Sequence, residues 1–516
     1  MDTLAEMWLQ HARRYPDRMA LVCGDARRTY SDLVDRGRRL GSALHRAGVE
    51  RQARVSMLAM NCAEYMDYYV ACEISGYIAA PVNFRLAAPE VAFMLNDATP
   101  RVLIFEAQYI DLLERIRHEA PSIETWICLP DAERAAPEWA VDYETFLAAG
   151  DVGGVPWSPE PGDFVRLVYT SGTTGRPKGA VKTQRAELLA ARKIAESMDM
   201  TGATSILLMM PMFHVGAQLE QIGQSFVGGL VVLQRGFDTR AVLETIERER
   251  IEIVHMAPTM IQQLLTEQDV TAWDLSSLHT VCYAAAPMPV RVLEDAVSKM
   301  GLIFCDMYGS TEIGPTTMLY KHLHVLGGTE AETRRLASVG QSMPDVALRI
   351  LDGQGRDCPP GVPGEVFIRS TSMFSGYWNN SAATVEAIRE GWYASGDVGY
   401  LDERDYLFLV DRTKDMIITG GENVYCREVE EALMAHPAVH DVAVIGTPDD
   451  RWGESVFAVV IPVPGAARDD ADLIAFCKDR IARYKAPKAV AWVEELPRLP
   501  SGKVSKVKLR ETYARG

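Results

Sequence analysis

Paired cysteines are missing from this sequence. Nine cysteines are scattered over 516 residues, with no C-x-x-C pair and no His/Cys cluster at zinc spacing. A disulfide framework and a structural zinc site are therefore excluded, and the thiols read as reduced groups of a cytoplasmic protein. Positive charge is also short. A formal net charge of −17 argues against a nucleic-acid backbone as main partner, because such binding relies on clustered lysine and arginine. Long apolar runs are lacking too: the run at 206–210 stops at Pro211, and nothing reaches the roughly 20 residues of a membrane span. The first residues, MDTLAEMW, have neither the basic region nor the apolar stretch of a signal peptide. Peripheral lipid contact is compatible with all of this. No internal repeat or low-complexity segment stands out.

What is present is material for a large core, 48% hydrophobic and 24% charged, in a chain long enough for at least two domains. Leu4, Met7, Trp8 and Ala12 fall on one face of a helix over 4–14. A second helix is expected after Ser31 as N-cap, with Leu33, Leu40 and Leu44 inward and Gly48 as its stop. Strand-like runs at 55–60, 80–82 and 102–105 then alternate with helix-like stretches at 63–75 and 89–96. The alternation resumes at Phe164 and continues through 206–210, 230–233, 253–256, 281–284 and 302–307. This predicts an α/β class with helix-covered, largely parallel sheets. Shorter β-like pieces over 346–410, punctuated by Gly and Pro, predict a barrel-like subdomain at about 336–410. A small α+β domain with strands at 442–445 and 456–461 is expected at the C-terminus. The boundary is placed at Lys414, giving domains 1–413 and 414–516.

One stretch concentrates chemistry: Tyr169 to Gly179, YTSGTTGRPKG, follows a strand-like run. Ser171, Gly172, Thr173, Thr174 and Gly175 can turn backbone N–H groups and hydroxyls toward one centre, and Lys178 adds charge. That suits a polyphosphate, although Gly/Ser/Thr clusters are more often plain surface loops. It is not a Walker P-loop, since Pro177 and Gly179 stand where glycine and a hydroxyl would be needed. Four other segments contribute. Asp306 to Glu312, DMYGSTE, offers Tyr308 to stack on a purine and Glu312 as a hard oxygen ligand, the bland alternative being a solvated surface acid. Tyr393 to Asp397 presents a carboxylate after a tight turn, suited to two ribose hydroxyls or simply to the turn. Asp411 to Gly421 joins a charged turn to a double glycine, or is a linker. Lys503, in PSGK, is a catalytic cation or a solubilising charge.

Taken together, YTSGTTGRPKG, PMFHVGA, YGSTE, YASGDVG, DRTKDMIITGGENVY and PSGKVSK resemble the acyl-adenylate-forming superfamily: acyl-CoA synthetases, adenylation domains and luciferases. The likeness runs over nearly the whole chain and is nearest to bacterial fatty-acyl and aryl-CoA ligases. Ser395 stands where threonine is commoner in that family, and Cys426 where proline is usual.

The resemblance implies an ATP-dependent ligase that activates a fatty or aryl-substituted carboxylic acid as acyl-AMP and passes it to CoA. The alternative it leaves is an acyl-AMP ligase loading a carrier-protein phosphopantetheine. ATP and CoA are the implied co-substrates, Mg²⁺ the implied metal, and a monomer or homodimer the implied assembly. By the same resemblance Thr170 and the Ser171–Gly175 loop hold phosphate with Lys178. Thr311 and Glu312 serve the α-phosphate and Mg²⁺, Asp306, Tyr308 and Gly309 the adenine, and Asp397 and Arg412 the ribose. Lys503 is the catalytic lysine, and His214 gates or lines the acid's carboxylate pocket. The acyl pocket is assigned to His214, Gly216, Tyr283, Ala284, Ala285, Ala286, Gly309 and Gly314. Lys414 is assigned as the hinge of a swinging C-terminal lobe, and Gly420 and Gly421 as the pantetheine tunnel.

Overall fold

An arginine in the middle of an apolar run, Arg166 in the strand Phe164–Thr170, is the first local oddity that the fold explains. In the computed structural model its side chain is wholly buried and pairs with Glu73 of the helix Ala63–Ser75. Its guanidinium also lies 4.1 Å from the Tyr69 ring centroid, and Glu73 accepts the Trp8 indole N–H. Removing one member of such a buried pair costs about 3–5 kcal/mol, so this strand is locked to the helix above it. The structure describes all residues except 171–176, 285, 287, 413–414, 420–421, 450–451, 499–502 and 514–516, and only the backbone of 412, 422 and 423.

The chain divides into two units, Met1–Ala347 with Ile368–Tyr393, and Leu348–Phe367 with Ala394–Gly516. The division therefore runs through the strands of the small β-subdomain. The boundary expected at 413/414 falls on residues outside those described.

The first unit holds two large sheets. The 9-stranded one has Phe304–Ser310, Thr280–Ala284, Ile253–Met256, Ser205–Leu208, Leu230–Leu233 and Met19–Cys23 as parallel neighbours, with antiparallel strands at both edges. The 8-stranded one has a parallel centre from Phe164–Thr170 to Thr125–Leu129; Phe164–Thr170 pairs antiparallel with Lys178–Thr183, and Gly376–Tyr377 lies antiparallel at the edge beyond it. Fully buried central strands such as Ile78–Pro81 read as unbroken apolar runs because helices cover both faces. The expected α/β architecture is the one observed.

Details differ where a side chain decides them. The second helix is Tyr30–Arg46 and its N-cap is Thr29, not Ser31. Thr29 Oγ1 accepts the Asp32 N–H at 3.1 Å while Asp32 Oδ2 accepts the Thr29 N–H at 2.8 Å. Ser31 lacks a partner acid three residues on (Val34), so the reciprocal box selects Thr29.

Strand Trp392–Leu401, most of it in the second unit, pairs antiparallel with Leu407–Arg412 from residue 397 onward, within the Gly/Pro-rich stretch where a barrel-like subdomain is expected. Beyond it lie helix Cys426–Met434, strands Val439–Asp449 and Gly453–Pro462, and helix Asp470–Lys478. Their core comprises Val429, Leu433, Val444, Val456 and Leu473. This is the expected helix-strand-strand-helix order. The two departures from the family pattern are accommodated here. The Ser395 hydroxyl donates to Val366 O at 2.7 Å and accepts the Asp397 N–H at 3.0 Å, which a threonine hydroxyl would also do. Cys426 uses its own N–H, donating to Asp411 Oδ2, a bond that a proline could not make.

Candidate active site

The first unit brings three separated motifs together around one carboxylate. Strand Phe304–Ser310 returns as Gly314–Leu319 after only Thr311, Glu312 and Ile313. Such a tight reversal needs glycine at both corners. A Cβ on Gly309 would sit 2.3 Å from Gly314 O, and Gly314 has φ +78°. The reversal leaves Glu312 only 7% exposed and Thr311 8%, so the alternative of a solvated surface acid does not hold.

Glu312 Oε1 accepts the Tyr377 hydroxyl at 2.9 Å and lies 3.5 Å from Thr170 Oγ1. Thr170 ends the strand that leads into the Gly/Ser/Thr-rich stretch, and it pairs across the hairpin with Lys178. Lys178 Nζ stands 5.2 Å from the Tyr377 ring centroid. Burial and the Glu312 carboxylate both push the Tyr377 phenol's pKa up, so it keeps its proton and remains a donor. Ser171, Gly172, Thr173, Thr174 and Gly175 lie outside the described residues.

A second cation stands behind this carboxylate. Lys182 is buried, donates to Ser372 O at 2.6 Å, and has its pKa lowered by burial, with Glu187 and Glu312 opposing. Neither Tyr377 nor Lys182 was anticipated. Tyr377 is 65 residues from Glu312 in sequence, and no short-range pattern signals that pairing.

The other expected residues fall along the C-terminal ends of neighbouring parallel strands, where α/β sheets bind ligands. Asp306 and Tyr308 are half-buried on Phe304–Ser310, with Asp306 in register with Tyr283 and Tyr283 with Met256. Ala284 is buried at the end of its strand, Ala286 is exposed, and Ala285 lies outside the described residues. The Tyr283 side chain has a partner of its own. It is buried, and its hydroxyl meets His324 Nε2 at 2.9 Å, where burial lowers the imidazole pKa to about 4.

His214 is the N-cap of helix Val215–Phe226, its Nδ1 accepting the Gly216 N–H at 3.3 Å. With Nδ1 accepting, the neutral ring carries its proton on Nε2. Behind Gly216 lies His255, whose Nδ1 is 2.6 Å from Glu220 Oε1 on the same helix.

In the second unit, Asp397 lies within strand Trp392–Leu401 rather than just after a turn, and Gly396 at φ +71° supplies the kink. Asp397 and Arg412 are direct strand partners. Lys503 is exposed, next to Val504, which bridges to Arg498, and just before helix Lys506–Tyr513. Lys414, Gly420 and Gly421 fall outside the described residues.

The donor set fits Mg²⁺. Among the described residues no group of three His, Cys, Asp or Glu forms a metal cage. One buried carboxylate with hydroxyls beside it is what Mg²⁺ uses when substrate phosphates supply further ligands. Among the described residues no helix is long and apolar enough to cross a membrane.

Residues 8–378 match the AMP-binding enzyme family, and residues 428–503 match the AMP-binding enzyme C-terminal domain. An indoleacetate–CoA ligase of Aromatoleum aromaticum is 34% identical, covering 99% of this chain and 98% of its own. A long-chain-fatty-acid–CoA ligase of Mycobacterium tuberculosis is 33% identical over 100% and 99% of the two chains. The solved structure of ATP-bound MatB from Rhodopseudomonas palustris matches with TM-score 0.88 at 26% identity, over 99% of each chain. With its motifs, its fold and these full-length relatives in agreement, the chain belongs to the AMP-binding enzymes, the acyl-adenylate-forming superfamily.

Proposed function

We propose that the protein is an ATP-dependent carboxylic acid:CoA ligase acting on a fatty or aryl-substituted acid in the cytoplasm. Its enzyme class is that of its curated relatives, an AMP-forming acyl-CoA synthetase. The observation that carries the reading is the buried Glu312 carboxylate, held beside Thr170 and Tyr377 at the mouth of the phosphate-loop hairpin.

A free carboxylate does not acylate a thiol, because its oxygen is a poor leaving group. In the first step a carboxylate oxygen bonds to the α-phosphorus of ATP and the bond to pyrophosphate breaks. In the second, the CoA sulfur bonds to the acyl carbon, the bond to AMP breaks, and the thiol proton is lost. The protein's task in the first step is chiefly to stabilise charge. The Ser171–Thr174 loop and Lys178 hold the β- and γ-phosphates, Thr311 and Glu312 order the α-phosphate, and Lys503 meets the charge shared by carboxylate and phosphate. Tyr308 stacks on adenine with Asp306 at its amino edge, while Asp397 and Arg412 hold the ribose. Mg²⁺, bound at Glu312, would neutralise phosphate charge.

A panel of fatty and aryl acids assayed for AMP release, with and without CoA, tests this. The expected result is CoA-dependent AMP and thioester formation with some members. No pyrophosphate exchange with any acid would overturn it.

The second step uses a different surface, and Lys414 is proposed as the pivot that presents the Gly420–Gly421 tunnel. Proline fixes φ and removes a donor, so it would stiffen such a pivot. Lys414→Pro is expected to leave pyrophosphate exchange within about threefold while cutting thioester formation roughly 100-fold, as a hinge substitution separates two conformational steps. An unchanged overall rate would remove Lys414 from this role.

A further inference from the structure

A buried ion pair in the layer of His214 stands outside this chemistry. His255, on the central strand Ile253–Met256, is 4% exposed, and Glu220 of helix Val215–Phe226 is fully buried. The His255 Nδ1 to Glu220 Oε1 separation is 2.6 Å. Beyond that contact, His255 Nε2 and Glu220 Oε2 are both buried, and neither has a hydrogen-bond partner among the described residues. Leaving a buried donor and acceptor unmade is costly, so native structures rarely do so without a purpose.

The location suggests that purpose. A Cβ on Gly216 would lie 3.4 Å from His255 Cε1 and 3.6 Å from His214 Nδ1. The imidazole edge bearing Cε1 therefore faces the first turn of the helix that His214 caps, and Nε2 is the next atom along that edge. His255 is in register with Cys282 of the strand that ends in Ala284. The pair thus lies deeper in the same helix–sheet layer as His214, Gly216 and Ala284, the residues assigned to the acid.

We infer that His255 and Glu220 form a polar subsite for the distal end of the acid, selecting substrates that carry a neutral hydrogen-bonding group there, a hydroxyl first of all. This rests on the acid:CoA ligase reading. Burial lowers the imidazole pKa, but the Glu220 carboxylate beside it outweighs that and leaves it raised, which favours the form that carries a proton on Nε2 as a donor. Glu220 Oε2 is an acceptor beside it. A hydroxyl both accepts and donates and so satisfies both atoms. A second carboxylate does not fit, because it would bring like charge against the Glu220 side chain. A bare alkyl or phenyl terminus would leave both atoms unpaired, and sites built to bind a hydroxyl reject the analogue lacking it far more strongly than apolar pockets discriminate by size.

The test uses matched acids in ATP–pyrophosphate exchange with the full-length enzyme: para-hydroxycinnamate against cinnamate, and ω-hydroxydodecanoate against dodecanoate. In at least one pair the hydroxylated acid is expected to be favoured in kcat/KM by about 100-fold or more. In the double variant Glu220→Leu/His255→Leu, which replaces the ion pair by apolar groups, the preference should fall to within about threefold, with the unsubstituted acid gaining. His255→Gln, which keeps a neutral donor, should retain an intermediate preference of about tenfold, and it decides the matter if the double variant does not fold. Wild-type ratios within about threefold for both pairs, or a preference undiminished in the variants, would overturn the inference. Exchange with no acid at all would instead overturn the ligase reading itself.

Discussion

Lys503→Ala is expected to lower acyl-AMP formation by roughly 100- to 1,000-fold, the range seen when one preorganised charge-stabilising donor is deleted. Consumption of preformed acyl-AMP by CoA should change by no more than about threefold, because that step develops its charge elsewhere, at the acyl carbon. The two half-reactions are measured separately, as acid-dependent ATP–pyrophosphate exchange and as thioester formation from supplied acyl-AMP. Lys503 is exposed, and the nearest core residue of the following helix, Leu509, packs with Ala443, Ile445 and Val459 without it. Truncation of an exposed side chain of this kind ordinarily changes stability by about 0.5 kcal/mol or less. A loss in the first half-reaction alone therefore reports on chemistry rather than folding. Equal loss in both half-reactions would show that the lysine acts through the lobe's structure, and the assignment would fail. Its position also answers the alternative of a charge on a loose tail, since Val504 is bridged to Arg498 and the helix begins at Lys506.

The architecture was legible because its determinants are short-range. Apolar runs of three to six residues bounded by helical patterns announced the parallel strands. The site was half legible for the same reason. Motif residues with distinct chemistry stood out, whereas their partners did not. Tyr377 sits far along the chain from the carboxylate it serves, and Lys182 is one of two lysines in a short strand whose ends are also polar. Glu312 was indistinguishable from a surface acid until the Gly309 and Gly314 corners were seen to fold it inward. Arg166 broke an apolar pattern for a reason 93 residues away, its pairing with Glu73. The Glu220–His255 pair left no mark on periodicity, because a glutamate on a helix and a histidine in a strand are each unremarkable until the packing joins them. Tyr283 shows the converse: strand register placed it near Asp306, but its own bond to His324 turned its hydroxyl to another task.

Glu312→Gln separates the carboxylate's charge from its shape. Glutamine is nearly isosteric and keeps an acceptor for the Tyr377 hydroxyl, so the hydrogen bond at 2.9 Å survives and stability should shift by about 1 kcal/mol or less. What is lost is the negative charge and the second carboxylate oxygen. Both described hydrogen bonds fall on Oε1, which leaves Oε2 to meet a cation. An amide nitrogen in that place would point N–H at a divalent cation, a repulsive contact. Acyl-AMP formation is accordingly expected to fall by about 100-fold or more at saturating ATP, as for other losses of a charge-ordering group at a phosphoryl centre. The MgCl₂ concentration needed for half-maximal exchange should rise by about tenfold, because the carboxylate proposed to hold the ion is removed. A buried acid serving only the fold gives the opposite signature: a lowered melting temperature with the Mg²⁺ requirement unchanged. That outcome would also undo the reading of Thr170, Glu312 and Tyr377 as one catalytic cluster, since the carboxylate's charge is the only member of it that a phosphate-bound cation can use.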